Sequence, residues 1–186
     1  MRIVGGKFRG RRIIAPKGDV ARPTMDRTRE AVFNILSARD HVDWQGARVI
    51  DLFAGSGALG FEALSRGAAF CLFVETDARA RAAIRDNIEA LGLFGATRLH
   101  RRSATSLGDK PSSAGAVFDI AFLDPPYGKG LVEPALQSLM DGGWLSPGAT
   151  VVIEQGKDDQ PAAHEALCEE DRRKYGAAQF GFYRVP

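Results

Sequence analysis

Asp51-Leu52-Phe53-Ala54-Gly55-Ser56-Gly57-Ala58-Leu59-Gly60 closes an apolar run, 48–53, and opens a segment with helical spacing, 58–66. Glycines at such a junction let the chain turn sharply and bring its backbone close to a ligand. The helix start adds N–H groups that have no partner within the helix. Taken alone, the spacing G-x-G-x-x-G fits any adenosine cofactor. Glu75, twenty residues beyond Gly55 at the end of the next apolar run, is placed to meet ribose hydroxyls in each case.

Charge separates the cofactors. A dinucleotide brings a pyrophosphate dianion against the turn, and an acid at position 51 would repel it. S-adenosylmethionine brings a sulfonium and an α-ammonium, which an acid attracts. No Lys follows the glycines, so the turn is not a phosphate-cradling P-loop.

Working outward, short apolar runs alternate with helical patterns. Strands are expected over 48–53, 70–75, 97–101, 118–124 and 150–154, and helices over 58–66, 77–91 and 131–140, with a Gly/Ser-rich loop near 112–115. In 77–91 the positions Ala80, Ala83, Ile84, Ile88 and Leu91 make one apolar side. This order predicts an α/β fold: an open parallel sheet with helices on both faces, followed by two further strands over 165–186. Upstream, 2–16 reads as a hairpin with basic side chains at its tip. A helix from Thr24, as N-cap, to about 38 carries Val32, Ile35 and Leu36 on one stripe.

The fourth strand of the sheet ends in Phe122-Leu123-Asp124-Pro125-Pro126-Tyr127, at the edge where open α/β sheets bind ligands. Pro125 and Pro126 stiffen the turn and fix the direction of the carbonyls of Asp124 and Pro125. With the Asp124 carboxylate these oxygens form an acceptor cluster suited to an NH2 group, and Tyr127 offers a face on which a planar base stacks. The lone pair of an exocyclic base amine is delocalised into its ring. Oxygens that accept its hydrogens from outside the ring plane localise that lone pair, and the remaining requirement is position.

The chain has 186 residues, enough for one full core, and carries a formal net charge of +2. That balance hides an asymmetry: residues 1–40 hold ten Lys/Arg against four Asp/Glu, and the rest hold fifteen against nineteen. A basic arm on a mildly acidic body suits a polyanion partner. Lys7, Arg9, Arg11, Arg12, Arg22, Arg27 and Arg29 are the candidate RNA contacts, and the division expected is an extension over 1–44 and a catalytic domain over 45–186. Cys71 and Cys168 form neither a disulfide framework nor a metal site, and His41, His100 and His164 have no ligand spacing, so no metal is expected. No run approaches a membrane span and the opening lacks a signal-peptide core, which places the chain in the cytoplasm as an expectation.

On these residues the chain resembles the class I S-adenosylmethionine-dependent methyltransferases that methylate amino groups. More narrowly, it is similar to the bacterial family that methylates guanine N2 in small-subunit (16S) ribosomal RNA. The narrower likeness rests on the arm from Ile3 to Arg11 and on the segment from Arg22 to Glu30. The resemblance implies a Rossmann-like, seven-stranded, mostly parallel sheet with an antiparallel last strand, and an N-terminal hairpin and helix. It implies a cofactor cradle at Asp51, Phe53, Ala54, Gly55 and Gly57, ribose on Glu75 and adenine near Ser103 and Ala104. Position 103 departs from the usual Asp or Asn. The catalytic set would be Asp124, Pro125, Pro126 and Tyr127. The partner would be ribosomal RNA in an assembled or assembling small subunit, and the enzyme a monomer. DNA amino-methylation at adenine N6 or cytosine N4 uses the same chemistry, but 186 residues leave no room for a target-recognition domain. A non-catalytic RNA-binding assembly factor is the other alternative.

Overall fold

Seven strands form one sheet in the order β3-β2-β1-β4-β5-β7-β6. The computed structural model describes residues 1–16 and 23–186. In chain order the elements are α1 (Pro23–Ser37), β1 (Arg48–Leu52), α2 (Ala58–Arg66), β2 (Phe70–Val74), α3 (Ala78–Leu91), β3 (Thr97–His100), β4 (Phe118–Leu123), α4 (Val132–Asp141), β5 (Leu145–Gly156), β6 (Cys168–Tyr175) and β7 (Ala178–Arg184). Pairs among β1 to β5 are parallel, and β7 lies antiparallel between β5 and β6. The strand order reverses between β1 and β4, which opens a crevice beyond the carboxyl ends of those strands.

Alternation along the strands divides the core in two. Val49, Phe73, Phe122 and Val152 face Phe33 and Leu36 of α1, Phe61 and Leu64 of α2, and Ile84 and Ile88 of α3. Ile50, Leu52, Leu123 and Ile153 face Leu136 and Leu139 of α4 and the fully buried Trp144. A sheet covered on both faces accounts for the nearly unbroken apolar strands. It also accounts for β7, whose imperfect alternation reflects burial on both sides.

Local signals set the helix ends. The Asp77 carboxylate accepts from the N–H groups of Arg79 and Ala80 at 2.9 Å, making Asp77 the N-cap of α3 rather than its first residue. At α1 the helix begins at Pro23, so Thr24 lies inside the first turn and is not the cap; proline's fixed φ and missing N–H suit that first position. The strand expected over 150–154 extends to Leu145–Gly156. β3 connects to β4 through two short 3-10 turns, Ala104–Ser106 and Ser112–Ala114.

The N-terminal hairpin departs most from its expected form. It has a single bridge, Arg2 to Arg12, with Ile3 N–H on the Arg11 carbonyl and Ile13 N–H on the Met1 carbonyl at 3.0 Å, and it is also tied to the body. Residues 1–7 run along α2: Val4 N–H donates to the Glu62 carboxylate at 2.8 Å, and Lys7 N–H to the Ser65 carbonyl at 2.8 Å. A Cβ at Gly6, whose φ is +72°, would lie 1.9 Å from that carbonyl oxygen, so only glycine fits there. Ile3 and Ile13 are buried in the core beneath α1. Among the described residues no helix is long and apolar enough to cross a membrane.

Candidate active site

Four acids gather at the carboxyl edge of the sheet. Asp51, Glu75 and Asp124 end or follow β1, β2 and β4, and Glu154 lies near the end of β5. Asp51 is 1% exposed beneath the glycine turn, where its Oδ2 accepts from Gly60 N–H at 3.0 Å. Burial pushes its carboxyl up to about 8, the Gly60 bond pulling it down and the charge of Glu75 adding to the rise. Glu75 accepts from Gly55 N–H and Asp77 N–H, both at 2.8 Å, so it joins the turn to the start of α3.

The turn is built for close approach. Phe53 has φ +60°, a backbone state that aromatic residues rarely adopt and that concentrates at ligand sites. A Cβ at Gly55 would meet nothing nearer than 3.9 Å, so the space above it is open. One at Gly60 would lie 2.4 Å from the Phe73 ring, so that glycine lets α2 pack on β2. Ala54 is buried beside the turn, and Gly57 precedes α2 in the left-handed conformation.

Asp124 leaves β4 with its N–H directed to the Leu52 carbonyl at 3.4 Å, which sets it beside the glycine turn. Burial holds its carboxyl well above the usual carboxylate range, reinforced by the charges of Glu154 and Asp51. Pro125 is buried and Pro126 exposed. Tyr127 is 44% exposed, leaving its ring available for stacking, and its hydroxyl donates to Glu154 Oε1. Burial raises both the Glu154 carboxyl and the Tyr127 phenol above their ordinary values. Sequence reasoning missed Glu154. The signal was present, since it is an acid closing an apolar run, as Asp51 and Asp124 do.

Ser103 Oγ is engaged locally, 2.8 Å from Thr105 Oγ1 and 3.3 Å from Thr105 N–H, and caps the turn at Ala104, which is buried. The Ser103 hydroxyl thus orders the turn at the position expected for adenine. Among the described residues no group of three or more His, Cys, Asp or Glu is arranged to hold a metal ion.

The basic residues separate into three groups. Lys7, Arg9, Arg12 and Arg27 are exposed, and Arg11 is exposed with its guanidinium on the Ala90 carbonyl at 2.8 Å. Arg22 lies outside the described residues. Arg29 corrects the expectation of a phosphate contact: it is 6% exposed, paired to Asp26 at 2.8 Å and bonded to the Arg2 carbonyl, with Glu62 at 3.8 Å. It braces α1 against α2 and the hairpin.

The family model described as "Conserved hypothetical protein 95" matches residues 1–184. Ribosomal RNA small subunit methyltransferase D of Escherichia coli K12 is 40% identical over 83% of the chain and 74% of its own length. The chain belongs to that family. The Haemophilus influenzae protein of the same name is 35% identical over 85% of the chain and 80% of its own. A solved structure, "Putative methyltransferase yhhF from Escherichia coli", superposes with a TM-score of 0.82 at 32% identity, covering 100% of this chain and 97% of that one. The family fold is therefore the class I methyltransferase fold, with β7 as its antiparallel last strand.

Proposed function

We propose that this member of the family transfers a methyl group from S-adenosylmethionine to the N2 amine of a guanine in 16S ribosomal RNA. The substrate would be an assembled or assembling small subunit, acted on by a cytoplasmic monomer. One observation carries the reading: the Asp124 to Tyr127 tetrapeptide stands directly beside the glycine turn, tied to β1 at the Leu52 carbonyl. The donor and acceptor of the methyl group would thus share one crevice.

The residues present fit the cofactor. The open space above Gly55 leaves room for it, and Asp51 and Glu75 suit a cationic ligand that carries ribose hydroxyls. When bound, S-adenosylmethionine supplies an electrophilic methyl carbon on a positively charged sulfur. Asp124 and the Pro125 carbonyl would accept the amine hydrogens and turn the nitrogen lone pair toward that carbon, about 3 to 3.5 Å away in a productive geometry. Transfer would form the new C–N bond as the C–S bond breaks with its electron pair returning to sulfur, and the methylated nitrogen would lose a proton to solvent or a nearby carboxylate. Tyr127 would hold the base by stacking.

An acidic crevice repels phosphate, so RNA needs a basic approach around it. Lys7, Arg9, Arg11, Arg12 and Arg27 are proposed for that approach, with Arg22 assigned from sequence alone. Because residues 1–7 follow α2, the hairpin tip lies about 13 Å along that helix from the glycine turn, and the RNA would cross that face before its guanine enters the crevice. RNA helices hide their base edges, so the target guanine would be unpaired or flipped. The substrate is tested by incubating the protein and tritiated S-adenosylmethionine with naked 16S RNA, small subunits and duplex DNA. Label in RNA or subunits supports the reading; label in DNA alone overturns it.

A further inference from the structure

The loop that carries Tyr127 is weakly tethered. Pro126 to Gly130 are all exposed, Gly128 and Gly130 have φ of +66° and +61°, and the two prolines have no N–H to donate. Among the described residues, the side chains of 125–130 make one hydrogen bond, from the Tyr127 hydroxyl to Glu154. Glu154 sits in an inner strand. It pairs with Phe180 of β7 on one side, and Leu123, which precedes Asp124, pairs with its neighbour Ile153 on the other. An exposed ring is thus fastened to a point fixed from both sides, next to the carboxylate that would orient the amine.

We propose that Glu154 is the positioning residue for the methyl acceptor: it holds the Tyr127 ring in one orientation, and through that ring sets the plane of the stacked base relative to Asp124. This rests on the reading of Tyr127 as the stacking platform. The hydroxyl, and not only the face of the ring, then matters, and Phe cannot replace Tyr at 127 without loss. Glutamine at 154 keeps a carbonyl oxygen to accept the phenol hydrogen, whereas alanine removes the acceptor.

The test uses the full chain as Glu154→Ala, Glu154→Gln, Tyr127→Phe and the double variant Glu154→Ala/Tyr127→Phe. Two readouts are taken: kcat/KM for RNA methylation, and the rate of tryptic cleavage at Lys129 in the folded protein. A hydrogen bond to a charged group whose energy goes into holding the acceptor in place corresponds to a roughly ten- to hundredfold change in kcat/KM. Glu154→Ala and Tyr127→Phe should each lose about that much, the double variant should lose no more than either single one, and Glu154→Gln should lose less than about threefold. Cleavage at Lys129 should quicken in the same three variants and not in Glu154→Gln, while S-adenosylmethionine affinity by calorimetry and the thermal midpoint stay at wild-type values. Losses that add, or a Glu154→Gln variant as slow as Glu154→Ala, or unchanged cleavage at Lys129, would overturn the proposal. Absence of RNA methylation by the wild type would instead fault the proposed function, and the cleavage readout stands apart from it.

Discussion

Replacing Asp51 with Asn should make the folding stability less dependent on pH, because Asn mimics the neutral acid that burial favours. The folded carboxyl is pushed up to about 8, against an ordinary value of about 3.9 in an unfolded chain. A group with a raised folded value contributes stability that is complete below the unfolded value and is lost as pH rises through the folded one. Between about pH 4 and 8 the folded protein keeps a proton that the unfolded chain has released, so wild type should lose about 1.4 kcal/mol per pH unit relative to Asp51→Asn. From pH 5 to 7 the gap between the two proteins should widen by about 2.7 kcal/mol in favour of the variant. Urea unfolding of both at several pH values in one salt concentration measures it. Parallel pH curves would refute the reasoning, since Asp51 would then ionise normally. The same carboxyl links to ligand binding: a cationic cofactor favours its charged form, so binding near pH 7 should release close to one proton more in wild type than in Asp51→Asn. Calorimetry in buffers of different ionisation enthalpy reads that difference.

Asp124→Ala should retain the fold and S-adenosylmethionine affinity yet lose at least a hundredfold in methylation rate, because the acceptor that orients the amine is gone; single-turnover kinetics check this. Glu62→Ala should destabilise the protein by about 3 to 5 kcal/mol, since Glu62 is 0% exposed and holds Val4 N–H and Arg66 at 2.8 and 3.0 Å beside the buried Arg29; thermal and urea unfolding would show it. Neutralising Arg9, Arg11 and Arg12 together should weaken RNA binding, and the slope of log affinity against log salt should fall by about 0.7 to 0.9 for each phosphate that is no longer neutralised. Cofactor affinity should not change. An unaltered salt slope would mean that the arm only faces solvent.

Much of the sheet is legible from its apolar runs, because parallel strands buried on both faces read as short continuous stretches. The helix 58–66 is legible because glycines bound it at both ends. The tetrapeptide and the glycine turn are legible as motifs, and their strand ends place both at one edge. What sequence could not show comes from contacts distant along the chain. Arg29 looks like a surface cation until Glu62, thirty-three residues away, is seen beside it. The hairpin looks self-contained, but besides its own cross-strand hydrogen bonds it is tied to Glu62 and Ser65 of α2. Glu154 is an ordinary strand-end acid until the loop after β4 brings the Tyr127 hydroxyl to it. The sequence likewise did not show that the Ser103 hydroxyl bonds Thr105 and orders its own turn.

The most direct measurement is the identity of the methylated nucleoside. Small subunits lacking the modification are incubated with the protein and isotopically labelled S-adenosylmethionine, the RNA is digested, and the labelled nucleoside is identified by mass spectrometry. The expected product is N2-methylguanosine from 16S RNA, lost in Asp124→Ala. A label on adenine N6, on cytosine N4 or on protein, or none with the intact enzyme, would contradict the account.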